Sequence, residues 1–371
     1  MKLREGLMLF FRNFFFSFAY TTFCFALTPY DLSYLLPLPE SEEQLPAYLN
    51  ANDILGTKLF QNLSNHFIKA SAPGFPAIFD LDISPQGFNR FLALAYRFDP
   101  CFKDVPAQKC QFQVRITLQP ITQKQFGFFI IDSAVHVFFV FKSEAAWREL
   151  MEQVWALNQS AGKLPQISTA EEFYIHPHFQ TSDKNLYQVQ FQQLVLKGIK
   201  NADLTRVAFL SVEMSGVEWL FQTYEKSRRG GDWKAIPIPL MGGHRIQGFT
   251  NILNPSFPRE FEGSFRPVAP KWVDQLAVLK PFLTNSLSFK QDHSMQDVDF
   301  FTTALTALSS ATQHLPGTVD CLSCHAAPAI SQSGEYLSGD FIMFGYKGRQ
   351  AFISPRVFAE TNSILHHLSG Q

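Results

Sequence analysis

The sequence predicts an α+β fold, with a mixed N-terminal domain that contains antiparallel strands and a mainly helical C-terminal part. The stretch from Phe112 to Leu118 alternates apolar and polar residues, which is the period of a half-buried strand. Later stretches, from Pro270 to Leu283 and from Ser294 to Ser310, favour helices, and the second carries an apolar stripe at helical spacing. A length of 371 residues and an apolar share of 46% allow a large core.

The overall charge limits the class of partner. Lys and Arg number 31 and Asp and Glu number 32, so the formal charge is −1. This balance offers no excess of cations to neutralise phosphates, and we expect no nucleic-acid partner. A charged share of 17% also argues against a disordered or coiled-coil chain.

The first 26 residues have the pattern of an export signal. Basic residues precede an uncharged, mostly apolar run from Phe14 to Leu27, which is shorter than the roughly 20 residues of a membrane span. Small side chains at Cys24 and Ala26 predict cleavage after Ala26. Retention as an anchor, or lipid attachment at Cys24, are the alternatives. Cleavage would leave a periplasmic or secreted protein without a membrane span, exported by the general secretory route.

The N-terminal domain is predicted over residues 27–270. Helical residues are expected around Leu49–Leu63, and a second strand follows the first. Ser143 is a plausible helix cap, and the segment after it has apolar residues at helical spacing. The predicted elements that follow are strand Ala134–Phe141, helix Ser143–Asn158, and a hairpin of Arg206–Val212 with Val217–Tyr224. Between the helix and the hairpin, Leu186–Ile199 fits either a strand or a helix, and a helix is favoured.

The C-terminal part is predicted over residues 271–371. Ser294 and Asp297 have the spacing of a capping box at the start of a helix. Ile342–Tyr346 is expected to form a short strand, and Pro355–Leu368 a closing helix with proline in its first turn.

Two cysteines, Cys101 and Cys110, lie on one polar loop just before the strand that begins near Phe112. In an exported protein, two neighbouring cysteines on a loop most often form a disulfide, which would tie the loop together. A redox-active pair is the alternative, although the two residues are not in a Cys-x-x-Cys turn.

A short motif near the C-terminus carries the most specific chemistry in the sequence. Cys321, Cys324 and His325 form the spacing Cys-x-x-Cys-His, the attachment signature of c-type haem. Two thiols at this spacing can add across the vinyl groups of one porphyrin edge, and the adjacent imidazole can ligate iron. Covalent attachment of haem is typical of exported proteins, which agrees with the N-terminal signal.

This motif resembles that of mono-haem c-type cytochromes. The resemblance covers about 50 residues, from Val319 to the C-terminus, and more loosely the whole chain looks like proteobacterial envelope proteins with one such motif. It implies one covalent haem c, held by thioethers from Cys321 and Cys324, with His325 as the proximal ligand. It also implies an electron-transfer or haem-redox role with an unidentified redox partner protein.

The sequence does not determine which residue is the sixth ligand of the iron. Met343 is the one methionine after the motif, and a thioether would raise the reduction potential. An open site would instead favour ligand binding or peroxidase-like chemistry, so enzymatic activity is undecided. The other candidate ligands are His293, Met295, His314, His366 and His367.

The competing hypothesis gives the two cysteines of the motif a role without haem. Cys321 and Cys324 could form a disulfide, or could bind structural zinc with a histidine and one more ligand. The chain would then be a non-enzymatic envelope protein with a binding or structural role.

Another pair of histidines flanks a proline in the N-terminal domain. His176-Pro177-His178 has no cysteine or carboxylate beside it, so we predict an exposed loop there rather than a metal site.

Overall fold

The structure is a computed structural model of the chain. It describes residues 28–70, 85–100, 112–124, 127–130, 133–162, 164, 175–181, 184–212, 219–227, 231–236, 238–239, 245–246, 248–250, 344–353, 357, 361–362 and 364–365. The predicted signal, the loop with the cysteine pair and the domain boundary near residue 270 lie outside these residues.

The strands form one large antiparallel sheet and two separate strand pairs. They are β1 (Ser33–Leu35), β2 (Phe91–Asp99), β3 (Gln113–Lys124), β4 (Gly127–Ile130), β5 (Ala134–Phe141), β6 (Ala202–Val212), β7 (Trp219–Lys226), β8 (Trp233–Ile236), β9 (Ile238–Pro239), β10 (Arg245–Ile246), β11 (Gly248–Thr250), β12 (Phe344–Lys347) and β13 (Gln350–Ile353). The nine-stranded sheet has the order β1-β2-β3-β5-β6-β7-β11, with β4 paired to β3 and β8 to β7. The pairs β9–β10 and β12–β13 are separate.

The two faces of this sheet differ in chemistry, because side chains alternate between faces along each strand. Ile116 of β3 lies opposite Tyr96 and Val137, whereas the next residue, Thr117, lies opposite Ala95 and His136. The apolar face consists of Tyr34, Tyr96, Phe98, Val114, Ile116, Leu118, Val135, Val137, Val207 and Phe209. The polar face carries Arg97, Asp99, Gln113, Arg115, Thr117, Gln119 and His136, of which all except Arg115 are buried.

Four α-helices of five or more residues are described: α1 (Ala51–Leu55), α2 (Thr57–Ala70), α3 (Glu144–Ala161) and α4 (Lys184–Gly198). Two of them pack against the apolar face through aromatic side chains. On α4, Phe191 stacks on Tyr34 with ring centroids 4.3 Å apart and meets Tyr96 edge-on at 5.2 Å. On α2, Phe60 lies 6.2 Å from Phe209 of the sheet. Burying these rings between helix and sheet supplies much of the stabilisation of the fold.

Helix α3 begins as the sequence predicts. Ser143 is the cap, and its hydroxyl accepts a hydrogen bond from the backbone N–H of Ala146 at 3.3 Å. The buried stripe of the helix then contains Trp147, Leu150, Met151, Val154 and Asn158. Asn158 is the polar member of this otherwise apolar stripe.

The hairpin β12–β13 packs against the large sheet. Its turn is short because Gly348 adopts φ 62°, a left-handed conformation that suits glycine. Gly348 and Ile130 of β4 exchange both backbone hydrogen bonds, at 2.8 and 2.9 Å. The side-chain amide of Gln119 donates to the carbonyl of Tyr346 at 2.9 Å and accepts from its N–H at 2.8 Å. Gln119 thus binds β12 much as a neighbouring strand would.

The predicted fold class is wrong. The described residues are organised around one antiparallel sheet, and the described C-terminal residues 344–353 are a strand pair rather than part of a mainly helical region. The prediction gave weight to helical periodicity upstream, but Phe344 and Tyr346 alternate with other residues and precede a glycine turn, which favours a hairpin. The strand Gln350–Ile353 was missed. The predicted helices between residues 270 and 310 lie outside the described residues.

Several individual elements are confirmed. The strand at residues 134–141, the helix that follows Ser143 and the antiparallel pair β6–β7 occur as predicted, within a few residues at their ends. The strand predicted at residues 112–118 is present, but it does not end at Pro120: β3 runs through Pro120, which lies opposite Phe91, to Lys124. Lys184–Gly198 is helical. In the predicted closing helix, the residues that the structure describes in a helix are 357, 361, 362, 364 and 365. Within the described ranges, no helix has both the length and the hydropathy that a membrane crossing requires.

Candidate functional site

The site residues predicted from the sequence fall outside the described part of the chain. This holds for Cys101, Cys110, Cys321, Cys324, His325 and Met343, and for the alternative ligands His293, Met295, His314, His366 and His367. Among the residues that are described, no group of three or more His, Cys, Asp or Glu side chains could hold a metal ion. Three histidines in the described part, His136, His176 and His178, are buried.

Two of these histidines belong to a compact group on the apolar side of the sheet. We call it the tyrosine–histidine cluster, and its members are Asp31, Tyr34, Asn158, His176, His178 and Tyr187. All six side chains are buried. The turn that carries both histidines is joined to β1, because the N–H of His176 donates to the carbonyl of Leu35 at 3.1 Å.

Asn158 is the centre of this cluster. Its amide donates to the Asp31 carboxylate at 2.6 Å and to the Tyr34 hydroxyl at 2.8 Å. Its carbonyl oxygen accepts from the Tyr187 hydroxyl at 2.5 Å. The other carboxylate oxygen of Asp31 accepts from the N–H and the hydroxyl of Thr28, at 2.7 and 2.9 Å. These bonds compensate for the removal of the polar groups from water.

The ring of His176 is enclosed by phenol rings. It is stacked on Tyr34 at 4.5 Å and lies parallel to Tyr187 at 5.9 Å. Its Nδ1 accepts from the N–H of His178 at 3.3 Å, so the neutral ring carries its proton on Nε2. Burial, together with the nearby His178, holds the pKa of His176 well below its ordinary value.

His178 lies beside the same rings, 4.9 Å from Tyr187. Burial lowers its pKa, while a hydrogen bond to the backbone of Asn158 and the charge of Asp31 oppose the shift. Among the described residues, no hydrogen-bond partner reaches Nε2 of either histidine. The prediction of an exposed loop at His176-Pro177-His178 is therefore wrong, because the two rings are 0% and 3% exposed. That prediction considered only local polarity, whereas β1 and the aromatic rings of distant segments enclose this turn.

The third described histidine, His136, lies on the polar face of the sheet. Its Nδ1 is 3.3 Å from the Thr117 hydroxyl, the side chain directly opposite on β3. Its Nε2 is buried and has no hydrogen-bond partner among the described residues. Burial, with the positive charge of Arg115 as a smaller cause, lowers the pKa of His136 to about 4. The ring is therefore neutral at physiological pH.

A buried ion-pair group lies beside His136 on the polar face. Asp99 is 0% exposed and accepts from Arg115 through both oxygens, at 2.5 and 3.0 Å. Arg97 approaches it at 3.1 Å, and the amide of Gln113 donates to it at 3.1 Å. Burial of charged groups on the polar face is unusual, because a buried charge costs free energy unless a correctly placed partner compensates for the lost water.

The chain matches no protein-family model, no curated protein and no solved structure.

Sequence reasoning missed both buried histidine groups. A signal was present for His136, because it is the one polar residue in the strand Ala134–Phe141. A signal was also present for Asn158, which lies on the apolar stripe of α3. Neither signal identifies a partner, because the partners come from other strands and helices.

Proposed function

We propose that the chain is an exported protein that carries one covalent haem c and has an electron-transfer or haem-redox role. The motif formed by Cys321, Cys324 and His325 is the observation that carries the proposal. In this proposal Cys321 and Cys324 form the thioethers and His325 is the proximal ligand. Met343 stays a sequence prediction for the distal side.

A haem iron with one histidine ligand accepts a second neutral imidazole, a thioether or an external ligand. When bound, haem would supply reversible one-electron redox chemistry. The redox partner is expected to be another exported protein.

The test is expression with and without cytochrome c maturation machinery in an exporting host. We expect a Soret band that survives acid-acetone extraction and a mass increase of one haem. Replacing both motif cysteines (Cys321→Ser with Cys324→Ser) should abolish the covalent haem. The matched control, Cys101→Ser with Cys110→Ser, should retain it, because that pair is predicted to form a loop disulfide.

Absence of haem from the mature wild-type protein would refute the proposal. Mass spectrometry of the same sample, under non-reducing conditions and with metal analysis, then identifies the competing chemistry. A Cys321–Cys324 disulfide or one bound zinc would support the envelope binding or structural role. The position of the mature N-terminus in that spectrum also tests cleavage after Ala26.

A further inference from the structure

The first strand of the sheet holds C-terminal residues through two hydrogen bonds. The Ser33 hydroxyl meets the Thr361 hydroxyl at 3.1 Å, and the carbonyl of Leu36 accepts from the Tyr346 hydroxyl at 2.6 Å. All four residues are buried. Strand β1 is only three residues long, and among the described strands it pairs with β2 alone. A short edge strand therefore carries contacts between the two ends of the described chain.

The same strand also holds the turn at residues 175–181. The ring of Tyr34 stacks on the imidazole of His176 with centroids 4.5 Å apart. The next residue, Leu35, accepts a hydrogen bond at its carbonyl from the N–H of His176, at 3.1 Å. Of the four residues 33–36, the inner two thus bind the histidine turn and the outer two bind the C-terminal residues. A change in the position of the turn is therefore transmitted to the C-terminal contacts over one or two residues.

The closed turn disfavours protonation of its two imidazoles. Nε2 of His176 and Nε2 of His178 are buried, and neither has a hydrogen-bond partner among the described residues. A charge on either ring would lie among aromatic side chains and away from water, which costs free energy unless an anion compensates for it. If the turn opened, both rings would face water and could bind protons at their ordinary pKa.

The groups around the two rings do not supply a free anion. The described titratable groups that face the rings, besides each other, are Tyr30, Asp31, Tyr34 and Tyr187. Burial raises the pKa of Tyr34 and of Tyr187, so both phenols stay neutral. Both oxygens of the Asp31 carboxylate already accept hydrogen bonds, from Asn158 and Thr28. Helix α3 contributes Asn158 to the cluster, and its amide carries no charge.

We propose that residues 28–36 and the turn at 175–181 form an acid-sensitive clasp, which opens when His176 and His178 bind protons and thereby loosens the hairpin β12–β13. The closed clasp keeps both imidazoles neutral, whereas the open clasp binds both protons, so acid favours the open form. Burial lowers the pKa of both histidines, which has the same sign. The closed form is fully favoured above about pH 6.5 and loses this advantage as the pH falls. The inference does not depend on haem.

Hydrogen exchange of the full-length protein between pH 7 and pH 5, corrected for the intrinsic rate at each pH, tests the clasp. The amides of His176 and Leu36 report the clasp, Gly348 reports the hairpin, and Val137 on the inner strand β5 reports global unfolding. Below about pH 6.5 we expect protection at the first three to fall by up to about tenfold per pH unit for each histidine. All three should stay less protected than Val137, because local opening needs less free energy than global unfolding. Equal protection at all four amides, or protection at the clasp amides that does not change with pH, would overturn the proposal.

Two variants that cannot titrate at position 176 test the role of the imidazole. His176→Phe keeps a ring against Tyr34, and His176→Gln keeps a side-chain acceptor for the N–H of His178. Each should reduce the fall in protection by up to about tenfold per pH unit. The matched control is His136→Gln, which removes a buried histidine outside the clasp and should keep the wild-type pH dependence of the clasp amides. The slope with pH is compared rather than the level, so a variant that weakens the clasp still gives an answer. Wild-type slopes in both variants at position 176 would overturn the proposal.

The link to the hairpin is tested by removing the two C-terminal hydrogen bonds. Tyr346→Phe combined with Ser33→Ala removes both hydroxyls that join β1 to the C-terminal residues and keeps the buried ring. In this variant the His176 and Leu36 amides should still respond to acid, whereas the Gly348 amide should lose its pH dependence. If the Gly348 amide of the wild-type protein does not respond to acid while the clasp amides do, the clasp does not act on the hairpin and that part of the proposal is wrong.

Discussion

The two faces of the large sheet are both buried, but different interactions bury them. Helices cover the apolar face mainly through rings such as Phe191 and Phe60. The hydroxyls of Tyr34 and Tyr96 add hydrogen bonds to side chains of the helices. The C-terminal hairpin contacts the polar face through directed bonds, such as those from Gln119 to Tyr346. Hydrophobic contact is not directional, whereas a buried amide or carboxylate needs a partner at a defined position. The apolar face is therefore stabilised mainly by non-directional packing of rings, and the polar face by directed bonds, which include those that dock hairpin β12–β13.

The largest expected effect is on the apolar face. Phe191→Ala should lower the free energy of unfolding by about 3–5 kcal/mol, because it leaves a cavity among buried rings. The side chain is 0% exposed and contacts Tyr34 and Tyr96. Leu186→Ala on the same helix is the control, since Leu186 is 62% exposed and its loss should cost within about 0.5 kcal/mol. Urea denaturation measures both; equal losses would contradict the assignment of this face as the core.

A comparable loss is expected from the charged group on the polar face. Asp99→Asn leaves Arg97 and Arg115 without the carboxylate that they share, and should cost about 3 kcal/mol. The control is Asp203→Asn, because Asp203 is an exposed partner of Lys142 at 3.9 Å and should contribute within about 0.5 kcal/mol. If Asp99→Asn behaves like the control, the polar face is wetter than the structure indicates.

Hairpin docking gives a smaller effect. Gln119→Leu removes both side-chain bonds to Tyr346 and leaves a buried N–H and C=O without that partner, which should cost about 2 kcal/mol. Amide hydrogen exchange at Tyr346 should accelerate more than exchange in the helices on the apolar face. The exposed Gln123 on the same strand provides the control, Gln123→Leu. Unchanged exchange at Tyr346 would show that other contacts hold the hairpin.

The smallest effect concerns pH and the apolar face. Burial depresses the pKa of His176 below its ordinary value of 6.5, so the unfolded chain binds a proton that the folded chain does not. The contribution of this shift to the free energy of unfolding is therefore fully present above about pH 6.5. It decreases as the pH drops below that value, by at most about 1.4 kcal/mol per pH unit for one histidine.

The variant His176→Phe keeps an aromatic ring between the tyrosines. It should reduce the dependence of the free energy of unfolding on pH by the contribution of one histidine. His178 contributes with the same sign, whereas burial raises the pKa of Asp31 and opposes the trend. Comparing the two proteins at each pH isolates His176. Identical slopes in urea titrations from pH 7 to pH 5 would contradict a neutral, buried His176.

Local elements could be predicted from the sequence, and their long-range pairing could not. The alternation through Ile116 and the helix after Ser143 are periodic within a short window, so the sequence alone indicates them. Gln119 and Tyr346 are 227 residues apart, and nothing in either local pattern indicates the other. His136 was passed over for the same reason, since its environment depends on which strands lie beside it. The haem motif, which is local, stays a prediction.

The contact between the beginning and the end of the described chain has a consequence for folding. The Ser33 hydroxyl meets the Thr361 hydroxyl at 3.1 Å across a separation of 328 residues, and Tyr346 reaches Leu36 across 310 residues. Contacts between residues so far apart in the sequence form late, because the loops that they close are long. A chain leaves the ribosome or a translocation pore with its N-terminus first. The segment around β1 therefore gains its contacts with Tyr346 and Thr361 only after those residues have emerged. The polar face then closes last, after the cysteines that precede the hairpin have been synthesised.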